Sequence, residues 1–439
     1  MVLGSVEDKK ENSQRGDGYI SRIAFASCFN PSRYAKNVLR GETIWTSIAD
    51  TSPELFIWTG DATYTSSSDG PRHSIEALRN AFNYTRGTPG YRHLIEDVLP
   101  RKPIGIYDDH DFGVNDGGGG GGILDFGVVD RDARKEAFLD FLDEPEESAR
   151  RTQPGAYAAY TFGVAPRKIK VILLDTRYFR SAHAIPSVGA MYPRAKVMPI
   201  LAAFSRWISS AAGLTSAHKG KMLGEVQWLW LEAQLRRSDA SVHLIVSSVQ
   251  VFTSNPLFES WGHFPYERQR LVQLLKKHRI DSKGILFLSG DVHAGEVLRS
   301  KEPSRHAVEI TSSGLTHGCT DGGIPGPVCR AVWSSFGSHD YYLGRNFGTV
   351  DIDWTATQPV LTSRIHDEYG NTVLSLSRGV DETIALDYTN MCGMRQLALI
   401  AVHALCIVCT FAYVSKVIHR NMILFYESIM IRSARRQNK

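Results

Sequence analysis

Two stretches of the chain close an apolar run on the same pair of residues. Leu55-Phe56-Ile57-Trp58-Thr59 runs into Gly60-Asp61, with Tyr64 three places on; Gly284-Ile285-Leu286-Phe287-Leu288-Ser289 runs into Gly290-Asp291, with His293 two places on. Short apolar runs of this kind read as strands buried on both faces. The glycine lets the chain turn sharply and lets another group approach the backbone. Each carboxylate would then stand at the carboxyl edge of a sheet, where α/β sheets place their sites. Two such carboxylates with a phenol and an imidazole nearby describe a site for a hard metal ion. For Asp61 alone, capping of a following helix is the plain alternative.

Other residues extend the pattern. After a short strand, Pro103 to Tyr107, the chain reads Asp108-Asp109-His110-Asp111-Phe112-Gly113-Val114-Asn115-Asp116, followed by glycine from Gly117 to Gly122. A solvated acidic turn would have this composition. So would a ligand-bearing loop, since strand ends next to loops are where acid–base groups are presented. The glycine run lacks the Lys and the helix of a phosphate-cradling loop and reads as an insertion. Cys28 ends a first core strand, Ile20 to Cys28, and is either a small buried hydrophobe or a thiolate ligand. Arg177, in Leu174-Asp175-Thr176-Arg177, either meets an anionic substrate or pairs with Asp175.

These residues need elements to position them. Helices are expected over Thr43–Asp50, Arg72–Asn83, Tyr91–Val98, Arg131–Asp143, Glu225–Arg237 and Tyr266–His278. Strands are expected over His243–Val249, Glu309–Gly314, Phe347–Trp354, Pro359–Ile365 and Thr372–Leu376, with Gly370-Asn371 turning the last two into a hairpin. Tyr157–Gly163 and Lys168–Asp175 read as another hairpin. Ser181 to Gly220, rich in Ala, Ser and Pro, reads as a covering segment with a helical patch. Strands that alternate with helices and then run into hairpins imply two packed sheets flanked by helices.

Charge is uneven along the chain. From Arg395 onward there are 7 Lys or Arg against 1 acid, while the remainder, 43 against 45, carries a net −2. A body without a basic surplus argues against a nucleic-acid partner. Leu397 to Ile418 (LALIAVHALCIVCTFAYVSKVI) is apolar apart from His403, Ser415 and Lys416. About 20 such residues span a bilayer, and Lys416 near the end can snorkel; a buried core helix is the alternative. The expected organisation is a disordered segment 1–18, a body 19–390, a transmembrane helix 396–418 and a basic tail 419–439. The positive-inside bias places that tail in the cytoplasm and the body in a lumen or outside the cell. No signal peptide is visible in Met1 to Tyr19, so a tail-anchored protein facing the cytosol is the other topology. Cys319 and Cys329 flank a Gly/Pro-rich loop and could close a disulfide, which needs an oxidising compartment. Asn83-Tyr84-Thr85 is a glycosylation triplet.

In order along the chain, Ala26-Ser27-Cys28, Gly60-Asp61-Ala62-Thr63-Tyr64, Asp108-Asp109-His110-Asp111 with Asn115, Leu174-Asp175-Thr176-Arg177, Gln227-Trp228-Leu229-Trp230-Leu231, Ser247-Ser248-Val249-Gln250 and Ser289-Gly290-Asp291-Val292-His293 resemble the alkaline phosphatase D (PhoD-like) family of metallophosphoesterases. The resemblance runs from about residue 20 to about residue 380. It implies an α/β, four-layer αββα metallophosphoesterase sandwich, related to purple acid phosphatases; the C-terminal transmembrane helix departs from the family's secreted pattern. It implies hydrolysis of phosphate mono- or diesters at a site holding Fe(III) and divalent ions, with calcium the expected one. By motif, Asp61 would bridge the metals, Cys28 and Tyr64 would hold iron, and Asp291 and His293 would match a Gly-His-x-His strand end of related enzymes. Asp109 and His110 stand where those relatives have an Asn-His pair, a ligand followed by a proton donor. Asp108, Asn115 and Gln250 are candidates for the second metal, and Arg177 for a further contact with the substrate. The rival reading is a metal-containing but inactive binding or structural module on a membrane.

Overall fold

In a computed structural model, residues 18–38, 44–65, 74–119, 130–189, 198–280, 284–299, 307–322, 325–335, 340–380 and 382 are described. The expected transmembrane helix 396–418, the basic tail and nearly all of the N-terminal segment 1–18 lie outside these residues. Among the described residues, no helix is long and apolar enough to cross a membrane.

Among the described residues, thirteen strands form two mixed sheets. In chain order they are β1 (Arg22–Ala26), β2 (Leu55–Thr59), β3 (Ile104–Ile106), β4 (Ala158–Phe162), β5 (Ile169–Leu174), β6 (Val242–Ser247), β7 (Gly284–Ser289), β8 (Gly295–Arg299), β9 (Val308–Ser312), β10 (Asp340–Tyr342), β11 (Asn346–Asp353), β12 (Val360–Asp367) and β13 (Thr372–Gly379). One sheet runs β13-β12-β11-β1-β2-β3 and the other β10-β8-β9-β7-β6-β5-β4. Within the first, β1, β2 and β3 are parallel. Within the second, β5, β6, β7 and β9 are parallel. In each parallel set the carboxyl ends therefore line one edge.

Strand periodicity explains the core. Val171, Leu173, Val242, Leu244, Val246, Leu286, Leu288, Val308 and Ile310 join one cluster with Phe25, Phe56 and Ile365 of the first sheet. The alternate residues Ile172, Leu174, Ile245, Ile285 and Phe287 join a second cluster with the helices Gly224–Leu235 and Pro265–Lys277. Side chains two apart share a face, so the second sheet turns one face to the first sheet and the other to helices. Across the gap, Ile365 of β12 covers Gly295 of β8, where an added Cβ would meet its Cγ2 at 2.7 Å. The helices Ile44–Asp50, Ile75–Gly87 and Arg131–Phe141 add Trp45, Phe82 and Phe138 to the first cluster.

The expected elements that fall within the described residues form, and both predicted hairpins pair antiparallel. Gly370, at φ +87°, makes the last turn. The sequence reading did not anticipate β8, β10 or the helices Pro31–Val38 and Gly326–Ser335. The first is a five-residue run opening on Gly and Glu and the second has three residues, too short for periodicity to register.

Candidate metal centre

The carboxyl edges of the two sheets meet. Beyond β1 come Ser27 and Cys28, and beyond β7 comes Gly290. An added Cβ on Gly290 would strike the Ser27 hydroxyl at 2.5 Å and the Thr59 carbonyl at 2.6 Å, so only glycine lets the two edges approach this closely. Gly60, at φ +106°, admits Asp108 in the same way, with its absent Cβ 2.6 Å from that of Asp108. Ser27 donates from its hydroxyl to Ser312 O at 3.0 Å, and Leu315 N donates to Ser27 O at 3.2 Å. Four residues at these tips, Cys28 (φ 62°), Asp61 (49°), Asp291 (73°) and His293 (57°), hold left-handed backbone conformations. Such conformations cost of order 1 kcal/mol or more each and persist where a site requires them.

The first group of side chains surrounds Asp61. Tyr64 donates its phenol to Asp61 Oδ2 at 2.6 Å and lies 3.2 Å from His293 Nε2. Cys28 Sγ sits 3.6 Å from Asp61 Oδ2 and 3.1 Å from the Ser313 hydroxyl. His110 donates its backbone N–H to Asp61 Oδ1 at 3.2 Å and packs its ring against Tyr64 at a tilt of 33°, centroids 4.0 Å apart. Asp111 fixes the turn by accepting from the N–H groups of Ala62, Thr63 and Asp108, each at 3.1 Å. Burial pushes the Cys28 thiol and the Tyr64 phenol up, and the neighbouring Asp61 carboxyl adds to both. Burial, then the nearby Asp109 and Asp108, pushes Asp61 well above the carboxylate range. Burial, then His110 and Arg33, lowers His293 to about 3, so the ring is a neutral nitrogen donor at ordinary pH.

The second group surrounds Asp108 and Asp109. Asp108 Oδ1 accepts from Arg177 Nε at 2.6 Å, and Arg177 Nη1 donates to both oxygens of Glu259 at 2.9 Å. Arg177 is fully buried. Of the two readings held open, the side-chain pair with Asp175 does not form: Asp175 Oδ1 accepts the backbone N–H groups of Arg177 and Tyr178, each at 2.9 Å, while Arg177 Nη2 is buried without a partner among the described residues. The guanidinium turns to Asp108 because that buried acid and Glu259 are the counter-charges within its reach. Arg180 Nη1 lies 3.1 Å from Glu259, and Arg206 donates to Asp116 Oδ2 at 2.9 Å. Burial would raise Glu259, but Arg177, Arg180 and Arg206 outweigh it and hold the carboxyl at about 2. Asp108 is raised to about 6 by burial, opposed by Arg177. Asp291 is pushed up by burial and by Asp108 and Asp109.

Ligand atoms in four groups lie within 4.8 Å of one another: Cys28, Asp61 and His293; Asp61, Asp109 and His110; Asp108, Asp109 and Asp291; Asp109, Asp116 and Glu259. The groups share Asp61 and Asp109, so they form one continuous chain of donors. Asp108 Oδ2 and Asp109 Oδ1 are buried acceptors with no hydrogen-bond partner among the described residues. An unpartnered buried carboxylate oxygen is costly unless a cation answers it. On that ground the donor set fits metal ions: thiolate, phenolate and imidazole at one end, carboxylates at the other.

The structure thus brings together Cys28, Asp61, Tyr64, Asp108, Asp109, His110, Asp291 and His293, with Arg177 joined through Asp108. Two other expected residues stand differently. A methyl added at Gly189 would meet the Asn115 amide nitrogen at 2.5 Å, and it is the next residue, Asp116, whose carboxylate joins the donor groups. Gln250 donates to Glu296 Oε2 at 2.6 Å and Thr311 Oγ1 at 2.9 Å; its own Oε1 is buried without a partner among the described residues. Sequence reading missed Asp116, Glu259 and His317, whose ring lies 4.1 Å from that of His293. Asp116 stood within the acidic stretch; Glu259 and His317 sit in irregular loops with no local signal.

A family model described as PhoD-like phosphatase matches residues 127–361, more than half of the chain. The chain belongs to the PhoD-like phosphatase family. It is therefore an alkaline phosphatase D-like hydrolase, a class that acts on phosphate esters and depends on metal. The matched span holds Arg177, Glu259, Asp291 and His293; Cys28, Asp61, Tyr64 and Asp108 to His110 precede it. A solved structure of PhoD is similar over 90% of this chain and 78% of its own length, with a TM-score of 0.51 at 14% identity, which is a likeness of fold. No curated protein matches the chain.

Proposed function

We propose that the chain hydrolyses phosphate mono- or diesters at a multinuclear metal centre built from the donors just described. The observation that carries this is the chain of four donor groups sharing Asp61 and Asp109. Cys28, Tyr64 and His293 with Asp61 and Asp291 would hold Fe(III); Asp61, Asp108, Asp109 and Asp291 would hold a divalent ion, calcium by the family's pattern. Bound there, such cations bind phosphoryl oxygens, lower the pKa of water and offset charge in an in-line displacement.

The protein's own part is to place groups. Asp61, held by Tyr64 at one oxygen and the His110 backbone at the other, is fixed between the two donor groups. His110, whose ring packs on that of Tyr64, would give a proton to the leaving alkoxide. Arg177 acts as a positioning residue: its bond to Asp108 Oδ1 leaves Oδ2 for the centre. We read the fold as the four-layer αββα sandwich, which the helices on the outer face of the second sheet support.

The same reading includes a single-pass anchor at 396–418, with the body lumenal or extracellular and the tail cytoplasmic. The Cys319–Cys329 disulfide supports that side of the membrane, since such bonds persist in oxidising compartments. Asn83 is exposed on the helix Ile75–Gly87, while Thr85 of the same triplet is buried beneath it.

Stripping the protein of metal should abolish turnover of nitrophenyl mono- and diesters, and iron with calcium should restore it. No turnover of either ester after reloading would instead favour the inactive module.

A further inference from the structure

One helix of the fold is amphipathic the wrong way round. Met198–Ala211 (MPILAAFSRWISSA) turns Ala202, Arg206 and Ser209 inward, with exposures of 0%, 7% and 3%. Ile200 is 63% and Ile208 38% exposed. Phe204 and Trp207 are half-buried, stacked on each other with centroids 5.4 Å apart. At the helical period, residues 200, 204, 207, 208 and 211 fall in one stripe about 100° wide, and 202, 206 and 209 lie opposite. The inward face is held by polar contacts. Arg206 donates to Asp116 Oδ2 at 2.9 Å and to Leu257 O at 3.0 Å, and the hydroxyls of Ser209 and Thr215 are 3.0 Å apart. A surface helix of a soluble protein does the reverse, burying its apolar stripe. A large apolar face on the outside marks an interaction site.

Two features of the chain say what covers it. From Thr176 to Gly224 the sequence has no Asp or Glu, and Lys219 and Lys221 are exposed eight and ten residues beyond the helix. An apolar face in a stretch without acids suits the headgroup–acyl boundary of a bilayer. The fourteen residues from 383 to 396 reach no further than about 50 Å even if fully extended. If Leu397–Ile418 is in a bilayer, the body is always within that distance of it.

We propose that Met198–Ala211 lies on the membrane surface, with Ile200, Phe204, Trp207 and Ile208 at the headgroup–acyl boundary. This rests on the reading of Leu397–Ile418 as an anchor. Because Arg206, on the opposite face, holds Asp116 of the acid cluster, the docked helix sets the orientation of the metal centre above the lipid.

The test uses the full, metal-loaded chain with phosphatidylcholine vesicles, with and without bromine on the acyl chains. The Trp207 signal is the difference between the parent and Trp207→Phe. It should fall roughly twofold with brominated lipid, as expected for an indole at the acyl boundary. Ile200→Asp with Ile208→Asp should remove that quenching while leaving flotation and turnover of a soluble nitrophenyl ester at parental values. Trp207 left unquenched in a chain that floats with vesicles overturns the proposal and spares the anchor. In that case shielding of Trp207 from aqueous quencher without lipid would point to Leu397–Ile418 or a second copy as the cover. A chain that neither floats nor is quenched overturns both.

Discussion

Replacing Glu259 by Gln removes one negative charge from a buried network and keeps its shape. Glu259 is 2% exposed, accepts from Arg177 Nη1 at both oxygens and lies 3.1 Å from Arg180. Its fall from an ordinary 4.5 to about 2 corresponds to about 3 kcal/mol in favour of the charged form. Removing one partner of a buried pair costs about 3–5 kcal/mol, because the other charge stays buried without compensation. Both routes give a loss of about 3 kcal/mol or more at neutral pH. The sign with pH follows from a depressed folded-state value: the contribution is present above about 4.5 and fades as pH falls towards about 2. Urea unfolding of the parent and Glu259→Gln at matched metal, from neutral pH downward, should show a gap that closes in acid. A variant within about 0.5 kcal/mol of the parent at neutral pH, the range of an ordinary surface change, would refute the reasoning.

Three further outcomes follow from particular contacts. Gly60→Ala puts a Cβ 2.6 Å from that of Asp108 at φ +106° and should cost roughly 2–5 kcal/mol together with bound metal. Gly87→Ala, which meets nothing within 4 Å, should cost little; equal losses for the two would show that the close approach is not what matters. Metal-stripped protein should lose thermal stability as pH rises through about 6, the value of Asp108, because Asp61, Asp108 and Asp291 all have raised folded-state values and favour their protonated forms; melting scans that rise with pH in that range would contradict this. Reduction of Cys319–Cys329 opens a bridge between residues 10 apart and should cost roughly 3 kcal/mol, with Cys319→Ser plus Cys329→Ser losing its response to reductant.

The strand ends were legible because burial imposes a composition. Leu55–Thr59 and Gly284–Ser289 are buried at every position, so their apolar runs stand out, and the Gly-Asp after each marks where the sheet stops. Cys28, Asp61, Asp109 and Asp291 could be picked out for that reason. Arg177 was visible as a site residue, but its partners were not, since Glu259 lies 82 residues away in an irregular loop. The same holds for His317, packed on His293 through a loop after β9. The helix Met198–Ala211 was expected only as a helical patch in a covering segment; which face it buries depends on Asp116 and Leu257, neither of which its own sequence names. Short elements such as β10 carry too few residues for a period to be read.

The proposed centre is one chain of donors answering to more than one cation, with Asp61 in the middle. Metal content per chain, measured by elemental analysis on the purified parent and on Asp61→Asn, tests this most directly. The parent should carry iron together with a second metal, and the variant should lose both along with turnover. A parent that turns over phosphate esters with no stoichiometric metal, or an Asp61→Asn protein that keeps the full complement, would contradict it.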